Sequence, residues 1–316
     1  MDFKTFCDDI EKNILEYLPE QYQKAEVMIK PVLKNNSLVL HGLTIRNPDE
    51  KIVPTMYMEH YYEKYQAGQE IENLMENIAV DYLEHCNPQI DYQVEHIMEL
   101  DNVKDKIMPI ILNAKHNKDM AKIRPSTRID DLAVFYQIVL ERSEFSTASV
   151  AVSNDMMEKW GISTEELHHI SIENNEKYNP VLLTDIESVL FGTPENYLEI
   201  EGKTPNSPLL VLSNQTKSYG ASVIANPAVL EKVADAVGGD YYVLPSSVHE
   251  VLICPKEIVK EMGMTPKELG KMVREVNQQE VSRDEVLSDH VYSYDRENKV
   301  LETVKESKQR NMDMER

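Results

Sequence analysis

The chain has 316 residues, of which 41% are hydrophobic and 28% charged, and its formal net charge is −22. This composition is typical of a folded globular protein and argues against a disordered or membrane-embedded chain. The excess of acid also predicts that the protein does not bind nucleic acid directly, because a polyanion is held by a basic face.

We expect a cytoplasmic protein without membrane association. The N-terminal sequence MDFKTFCDDIEKN is acidic and lacks the apolar stretch of a secretory signal. No apolar run approaches the ~20 residues that cross a bilayer. The three cysteines, Cys7, Cys86 and Cys254, are far apart and odd in number, which favours a reducing compartment over a disulfide framework.

The N-terminal part alternates between helix and strand. Phe3, Phe6, Ile10, Ile14 and Leu18 recur every three or four residues, which predicts an amphipathic helix over 3–18. Further patterns predict strands at 27–29, 37–46 and 52–58. A helix is predicted at 69–84 and a connecting helical region at 89–117.

A strand pair and two helices follow. The segments 132–140 and 148–153 predict neighbouring strands joined by a short polar loop. Ser163 is a typical first cap of a helix, and Glu166 three residues later completes a capping box. We therefore predict that a helix begins at this point.

An internal repeat is the strongest structural pattern. SVAVSNDMMEKWGISTEELHHI resembles EVLICPKEIVKEMGMTPKELGKM, with Gly161 matching Gly263 and Ser163 matching Thr265. SVIANPAVLEKVADAVGG repeats the strand and first helix, and a weaker copy covers 55–74. The chain is thus predicted to use a strand–strand–helix unit, with a second helix in most copies.

These units predict an α+β fold, mostly antiparallel sheet with helices packed on one face. The predicted organisation has an N-terminal α+β region at 1–117 and a pseudo-repeat α+β core at 118–281. A terminal hairpin at 282–304 and a flexible tail at 305–316 complete the chain.

Residues 241–255, YYVLPSSVHEVLICP, predict two strands joined by a polar turn. The turn holds Ser246, His249 and Glu250, the residue types of a nucleophile, a base and an orienting carboxylate. No glycine flanks the serines as in a nucleophile elbow, so we favour a purely structural turn. His249 is the first residue to substitute in any pocket formed there, because histidine titrates near neutral pH.

Known metal and cofactor motifs do not occur in the sequence. His168 and His169 are adjacent on a predicted helix and therefore point about 100° apart. There is no C-x-x-C, H-E-x-x-H or phosphate-binding glycine loop. We expect neither a metal nor a cofactor.

The segment 59–101 carries eleven acidic residues and the single base Lys64. A solvated face is the simple explanation. The alternative is an interaction surface for a basic protein partner. In the sharper form of this hypothesis the surface mimics nucleic acid and the partner is a DNA-binding protein. The candidate contact residues of this surface are Glu70, Glu72, Glu76 and Glu84.

Several stretches together resemble an uncharacterised bacterial family of gut Firmicutes, often found near integrative and conjugative elements. They are PTMYMEHYYEKYQAG, RIDDLAVFYQIVL, ASVAVSNDMMEKWGISTEELHHISIEN and GASVIANPAVLEKVADAVGGDYYVLPSSVHEVLICP. The resemblance covers about 3–304 and implies a domain of unknown function in a bacterial cytoplasm. It assigns no catalytic residue.

Three hypotheses follow. The leading one is a non-enzymatic interaction or regulatory protein of a bacterial mobile element, with a protein partner. The second is a hydrolase or transferase that uses the turn at 246–250. The third is a homo-oligomeric scaffold. The sequence leaves the oligomeric state open.

Overall fold

The structure is a computed structural model. It describes residues 1–48, 50, 53–85, 94–142, 147–191, 195–200, 202, 204–205, 207–245 and 247–305. The α-helices are α1 Phe3–Asn13, α2 Met58–Gln66, α3 Ile71–His85, α4 Val94–Ile97, α5 Leu100–Val103, α6 Met120–Ile123, α7 Asn154–Trp160, α8 Thr164–Tyr178, α9 Ile186–Phe191, α10 Pro227–Val237, α11 Lys256–Glu261 and α12 Pro266–Gln279.

The strands form three antiparallel sheets. The N-terminal sheet contains β1 Glu26–Leu33, β2 Val39–Arg46 and β3 Met56–Tyr57. The middle sheet contains β4 Ile107–Asn113, β5 Thr127–Ile129, β6 Leu132–Arg142 and β7 Thr147–Ala151. The C-terminal sheet contains β8 Val181–Asp185, β9 Leu210–Asn214, β10 Tyr241–Leu244, β11 Val251–Pro255, β12 Tyr292–Asp295 and β13 Val300–Thr303, in the order β13-β12-β10-β11-β9-β8.

The N-terminal sheet and α1, α2 and α3 enclose a hydrophobic core of their own. Phe6, Ile10 and Ile14 are fully buried in it, as the predicted stripe requires. The α-helix ends at Asn13, and a 3-10 turn continues the same stripe to Tyr17. The helix predicted at 69–84 is α3.

The middle sheet corrects the helical prediction for 89–117, of which residues 89–93 lie outside the described part of the chain. After the short helices α4 and α5, the sequence IMPIILN forms β4, and all seven of its residues are buried. A continuous apolar run lacks the period of either element. The isoleucines favour a strand, while Pro109 disfavours a helix interior and is tolerated because β4 is an edge strand. Strands β6 and β7 pair as predicted.

The C-terminal sheet has an apolar core on each face. Along β10, Tyr241 and Val243 pack in the central core with the middle sheet, whereas Tyr242 and Leu244 face α11 and α12. This alternation follows from the two-residue period of a strand. The turn sequence at 245–250 joins β10 to β11, which pair antiparallel as predicted.

The two segments compared in the sequence have the same local geometry. Gly161 follows α7 and Gly263 follows α11, both in the left-handed conformation. Capping boxes built on Ser163 and Thr265 then begin α8 and α12. The two segments lie in different sheets, and their origin in one repeated unit stays a prediction.

The third copy differs from its prediction. Residues Gly220–Ala225 form a 3-10 helix in place of the predicted strand. All six helix residues are buried, and an apolar run this short does not distinguish strand from helix. The following helix α10 begins at the predicted Asn-Pro, with Asn226 as its cap.

The predicted α+β class with antiparallel sheets is confirmed. The division of the chain at residue 117 stays a prediction, and the predicted tail beyond Lys305 lies outside the described residues. Within the described part of the chain, no helix combines the length and the apolar character needed to cross a membrane.

Candidate functional site

A cleft of ≈ 230 Å³ lies where the N-terminal sheet, the middle sheet and the C-terminal sheet meet. We call it the junction cleft. Its lining residues are Val32, Leu33, Lys34, Asn35, Tyr57, Ile110, Leu112, Met120, Arg124, Tyr219, Val248, His249, Asp284 and Glu285. Its volume is slightly below the ~300–1,000 Å³ of pockets for drug-sized ligands, so it suits a small molecule.

A polar loop attaches the N-terminal sheet to this junction. Asn35 and Asn36 lie between β1 and β2, and Asn36 has a left-handed φ of 57°. Asn35 Nδ2 donates to the Asp284 carbonyl at 2.7 Å, and Asn36 Nδ2 donates to the Val286 carbonyl at 2.7 Å. These bonds hold the neighbouring Lys34 at the edge of the cleft.

Lys34 contacts Tyr57 across the N-terminal side of the cleft. Its Nζ donates to the Tyr57 hydroxyl at 3.2 Å and lies 4.7 Å from the centroid of the ring. A cation over a tyrosine face is attracted by the negative face of the ring. The contact places a positive charge at the mouth of the cleft without neutralising it.

Arg124 carries a second positive charge into the cleft from the end of α6. The side chain is half-buried, and its Nη1 donates only to Met120 Sδ, at 3.5 Å. It forms no ion pair with any residue that the structure describes. Burial lowers the pKa of the guanidinium, because an uncompensated charge is less stable away from water.

Gly220 allows the backbone segments of the opposite wall of the cleft to approach each other closely. A Cβ atom at this position would lie 2.1 Å from Ser213 Oγ and 2.4 Å from the His249 carbonyl oxygen. Only a glycine permits this approach. The preceding residue, Tyr219, adopts a left-handed φ of 49° and thereby presents both its backbone N–H and its ring to His249.

His249 has a neighbour at each ring nitrogen. Its Nδ1 accepts the backbone N–H of Tyr219 at 3.2 Å, so the proton of the neutral ring lies on Nε2. Nε2 lies 3.3 Å from Glu285 Oε1, within ion-pair distance of this carboxylate. The neutral imidazole therefore presents no lone pair for proton abstraction in the cleft.

The junction cleft combines an apolar wall with two cations that form no ion pair with the described residues. Lys34 and Arg124 supply the charge, while Asp284 and the paired Glu285 are its acidic groups. The apolar wall consists of Ile110, Leu112, Met120 and Val248. Such a surface fits a small anion with an apolar body. Among the described residues there is no cluster of three or more potential metal ligands.

The predicted Ser246–His249–Glu250 set is not brought together here. Ser246 lies outside the described residues. His249 lines the cleft, but its carboxylate partner is Glu285 and not Glu250. Glu250 is half-buried and does not line the cleft.

The acidic candidate residues Glu70, Glu72, Glu76 and Glu84 are exposed on and just before α3. They lie away from the junction cleft and do not line it. Whether they contact a partner stays a prediction.

Sequence reasoning missed Arg124, Tyr219 and Glu285 as site residues. Arg124 stands in a basic stretch of an acidic chain, which is a weak signal. Tyr219 precedes a glycine, as residues in tight turns often do. Glu285 has no local motif, because its role depends on contacts with residues distant in the chain.

The chain matches the family of unknown function DUF5688 over residues 3–296, and it belongs to that family. The expectation of a domain of unknown function is thereby confirmed, while its bacterial hosts and mobile elements stay predictions. Neither the curated proteins nor the solved structures contain a match to this chain.

Proposed function

We propose that this protein is a non-enzymatic regulatory protein that binds a small carboxylate with an apolar body in the junction cleft. The observation that carries the proposal is Arg124, a half-buried cation that has no anionic partner among the described residues. A planar guanidinium binds a carboxylate through two parallel hydrogen bonds, which compensates the charge.

The bonding of His249 supports binding over catalysis. A general base needs a lone pair that faces the substrate. In His249 the Nδ1 lone pair accepts the Tyr219 N–H, and Nε2 lies 3.3 Å from the Glu285 carboxylate. The hydrolase or transferase alternative requires Nδ1 to leave the Tyr219 N–H before the ring acts as a base.

The position of the cleft supports a regulatory role. A ligand there touches Lys34 of the N-terminal part together with Arg124 and Glu285 from the rest of the chain. Ligand binding would therefore change the free energy of contact between these parts. We propose that this regulation serves a bacterial mobile element, as the resemblance implies. A protein partner would bind differently to the liganded and the free protein.

The test is isothermal titration calorimetry with hexanoate and with hexanamide, which has the same apolar body without the charge. We expect heat of binding for hexanoate only. Arg124→Met should abolish it, because the variant keeps an unbranched apolar stem and loses the cation. Arg128→Met is the matched control, since Arg128 is exposed and bonds only to the Asp130 carbonyl. Equal binding of both compounds, or equal losses in both variants, refutes the proposal.

A second candidate function rests on the α3 surface. Glu70, Glu72, Glu76 and Glu84 are exposed, which leaves them accessible to a basic partner. Long-range attraction of this kind mainly accelerates association and is screened by salt.

The partner is tested by affinity capture from a host lysate treated with nuclease. A protein retained by the wild type should be lost when these four glutamates are changed to lysine. The control reverses four other exposed glutamates, Glu158, Glu165, Glu257 and Glu261. Equal retention by both quadruple variants contradicts the candidate.

A further inference from the structure

A turn of the middle sheet contacts the edge strand of the C-terminal sheet. The turn contains Asp130 and Asp131, between β5 and β6. Asp130 Oδ2 accepts the backbone N–H of Thr303 at 2.6 Å and its hydroxyl at 2.7 Å. This bond fixes the turn against β13.

Asp131 accepts hydrogen bonds from residues in and just before β12. Its Oδ1 accepts the hydroxyl of Tyr292, and its Oδ2 accepts His290 Nδ1 at 2.7 Å and the Ser288 hydroxyl at 3.4 Å. Because Nδ1 donates, the neutral ring of His290 has its lone pair on Nε2. No hydrogen bond to that Nε2 occurs within the described part of the chain.

His290 borders a cavity of ≈ 330 Å³ beside the start of α12, which we call the His290 cavity. Its side chain is 62% exposed, so the ring is accessible. Lys267 and Lys305 also line the cavity, and Asp289 is the one carboxylate among its described lining residues. In a chain with a net charge of −22, this local excess of positive charge favours an anion.

We propose that the His290 cavity binds an oxyanion that carries its own hydroxyl group, of which hydrogen phosphate is the simplest. The lysine side chains attract the negative charge. The hydroxyl of the oxyanion donates to His290 Nε2, which Asp131 keeps in the accepting tautomer. Sulfate has the same shape and charge but no hydroxyl at neutral pH, so its oxygen meets the Nε2 lone pair with repulsion.

The experiment compares inorganic phosphate with sulfate by isothermal titration calorimetry of the full chain, at equal ionic strength and pH ~8, where an ordinary imidazole is neutral. All titrations are made in the Arg124→Met background, so that oxyanion binding in the junction cleft does not contribute. We expect phosphate to bind roughly two- to tenfold more tightly than sulfate, the value of one neutral hydrogen bond.

His290→Asn is the decisive variant, because an asparagine amide still donates to Asp131 but has no counterpart of Nε2. We expect the preference for phosphate to disappear while sulfate binding persists. Lys267→Met should lower the binding affinities for phosphate and for sulfate by a similar factor. His169→Asn is the matched control, since His169 is exposed on α8 and pairs only with Glu173.

Three outcomes would overturn the proposal. They are the absence of phosphate binding, equal affinities for phosphate and sulfate in the parent protein, and a preference that survives in His290→Asn. A preference that is lost equally in His169→Asn counts against it as well.

Discussion

His249 and His290 each line a cavity and each lie close to a carboxylate, but they face it with opposite ring nitrogens. His249 accepts at Nδ1 from the Tyr219 backbone, and its Nε2 lies 3.3 Å from Glu285 Oε1. His290 donates from Nδ1 to Asp131 and leaves Nε2 without a partner among the described residues. The neighbour at Nδ1 fixes the tautomer, and with it the chemistry open to the ring.

The difference originates in the backbone. At the junction cleft, Gly220 lets the chain approach so closely that a main-chain N–H reaches the imidazole. At the His290 cavity, a turn between two strands delivers a carboxylate instead. One histidine is therefore a fixed part of a wall, whereas the other is accessible for a ligand. Substitutions of the residues around each histidine test whether His249 is fixed and His290 accessible.

The largest effect is expected for Gly220→Ala. Its Cβ would lie 2.1 Å from Ser213 Oγ, 2.4 Å from the His249 carbonyl oxygen and 2.9 Å from the Asn214 nitrogen. Backbone atoms yield little, so we expect a loss of about 3 kcal/mol or more in the free energy of unfolding. Chemical denaturation measures it.

The control for that variant is Gly239→Ala, because a Cβ at Gly239 meets nothing within 4 Å. It should change stability by less than about 0.5 kcal/mol. Similar losses in the two variants would mean that the close approach at Gly220 does not constrain the wall of the cleft.

A smaller effect is expected for Tyr292→Phe, which removes a donor to Asp131. Tyr292 is 1% exposed, and its hydroxyl bonds to the Asp131 carboxylate. A buried hydrogen bond to a charged group contributes about 1.5–3 kcal/mol. Tyr294→Phe is the matched control, since Tyr294 is equally buried and no hydrogen bond of its hydroxyl occurs among the described residues. Equal thermal stabilities of the two variants would contradict the role of Asp131.

The two histidines themselves should differ when each is changed to alanine. His249→Ala leaves the Tyr219 N–H without its acceptor in a half-buried position, which costs about 1 kcal/mol. His290→Ala removes an exposed ring and should stay within about 0.5 kcal/mol of the parent. Urea denaturation of both variants makes the comparison, and an equal or reversed order of losses would show that His249 is not held as described.

The sequence predicted the elements with a strong local signal. The amphipathic stripe of α1, the capping box at Ser163 and the β10–β11 pair were all readable, because each depends on neighbours in the chain. Strand β4 and the 3-10 helix Gly220–Ala225 were read as the wrong element. Both are short apolar runs, and their conformation depends on the tertiary contacts that bury them.

The site was less predictable than the fold. His249 attracted attention as a titratable residue in a turn, but the sequence supplied Glu250 as its partner and the structure supplies Glu285. The Asp131–His290 pair spans 159 residues of the chain. No spacing rule detects such a pair, since the two residues meet only through the packing of two sheets.

The smallest effect concerns a third histidine with a third kind of neighbour. His168 Nδ1 lies 3.1 Å from the Tyr136 hydroxyl, and no carboxylate is involved in that contact. Burial, and then the neighbouring charge of His169, lower the pKa of His168 in the folded state. An ordinary unfolded histidine has a pKa of ~6.5, so as the pH falls the unfolded chain binds this proton first.

The stability that His168 contributes is therefore present above pH ~6.5 and is lost as the pH falls through the lower folded pKa. We expect less than about 1 kcal/mol, because the ring is only half-buried and water screens its charge. The free energy of unfolding of His168→Gln should change less than that of the parent protein between pH ~7 and ~5. His169→Gln should keep most of the parent's slope, since burial is the larger cause of the shift. If the free energy of unfolding has the same pH dependence in all three proteins, His168 titrates as it does in the unfolded chain. In that case only a carboxylate or a backbone neighbour gives a histidine of this protein distinct chemistry.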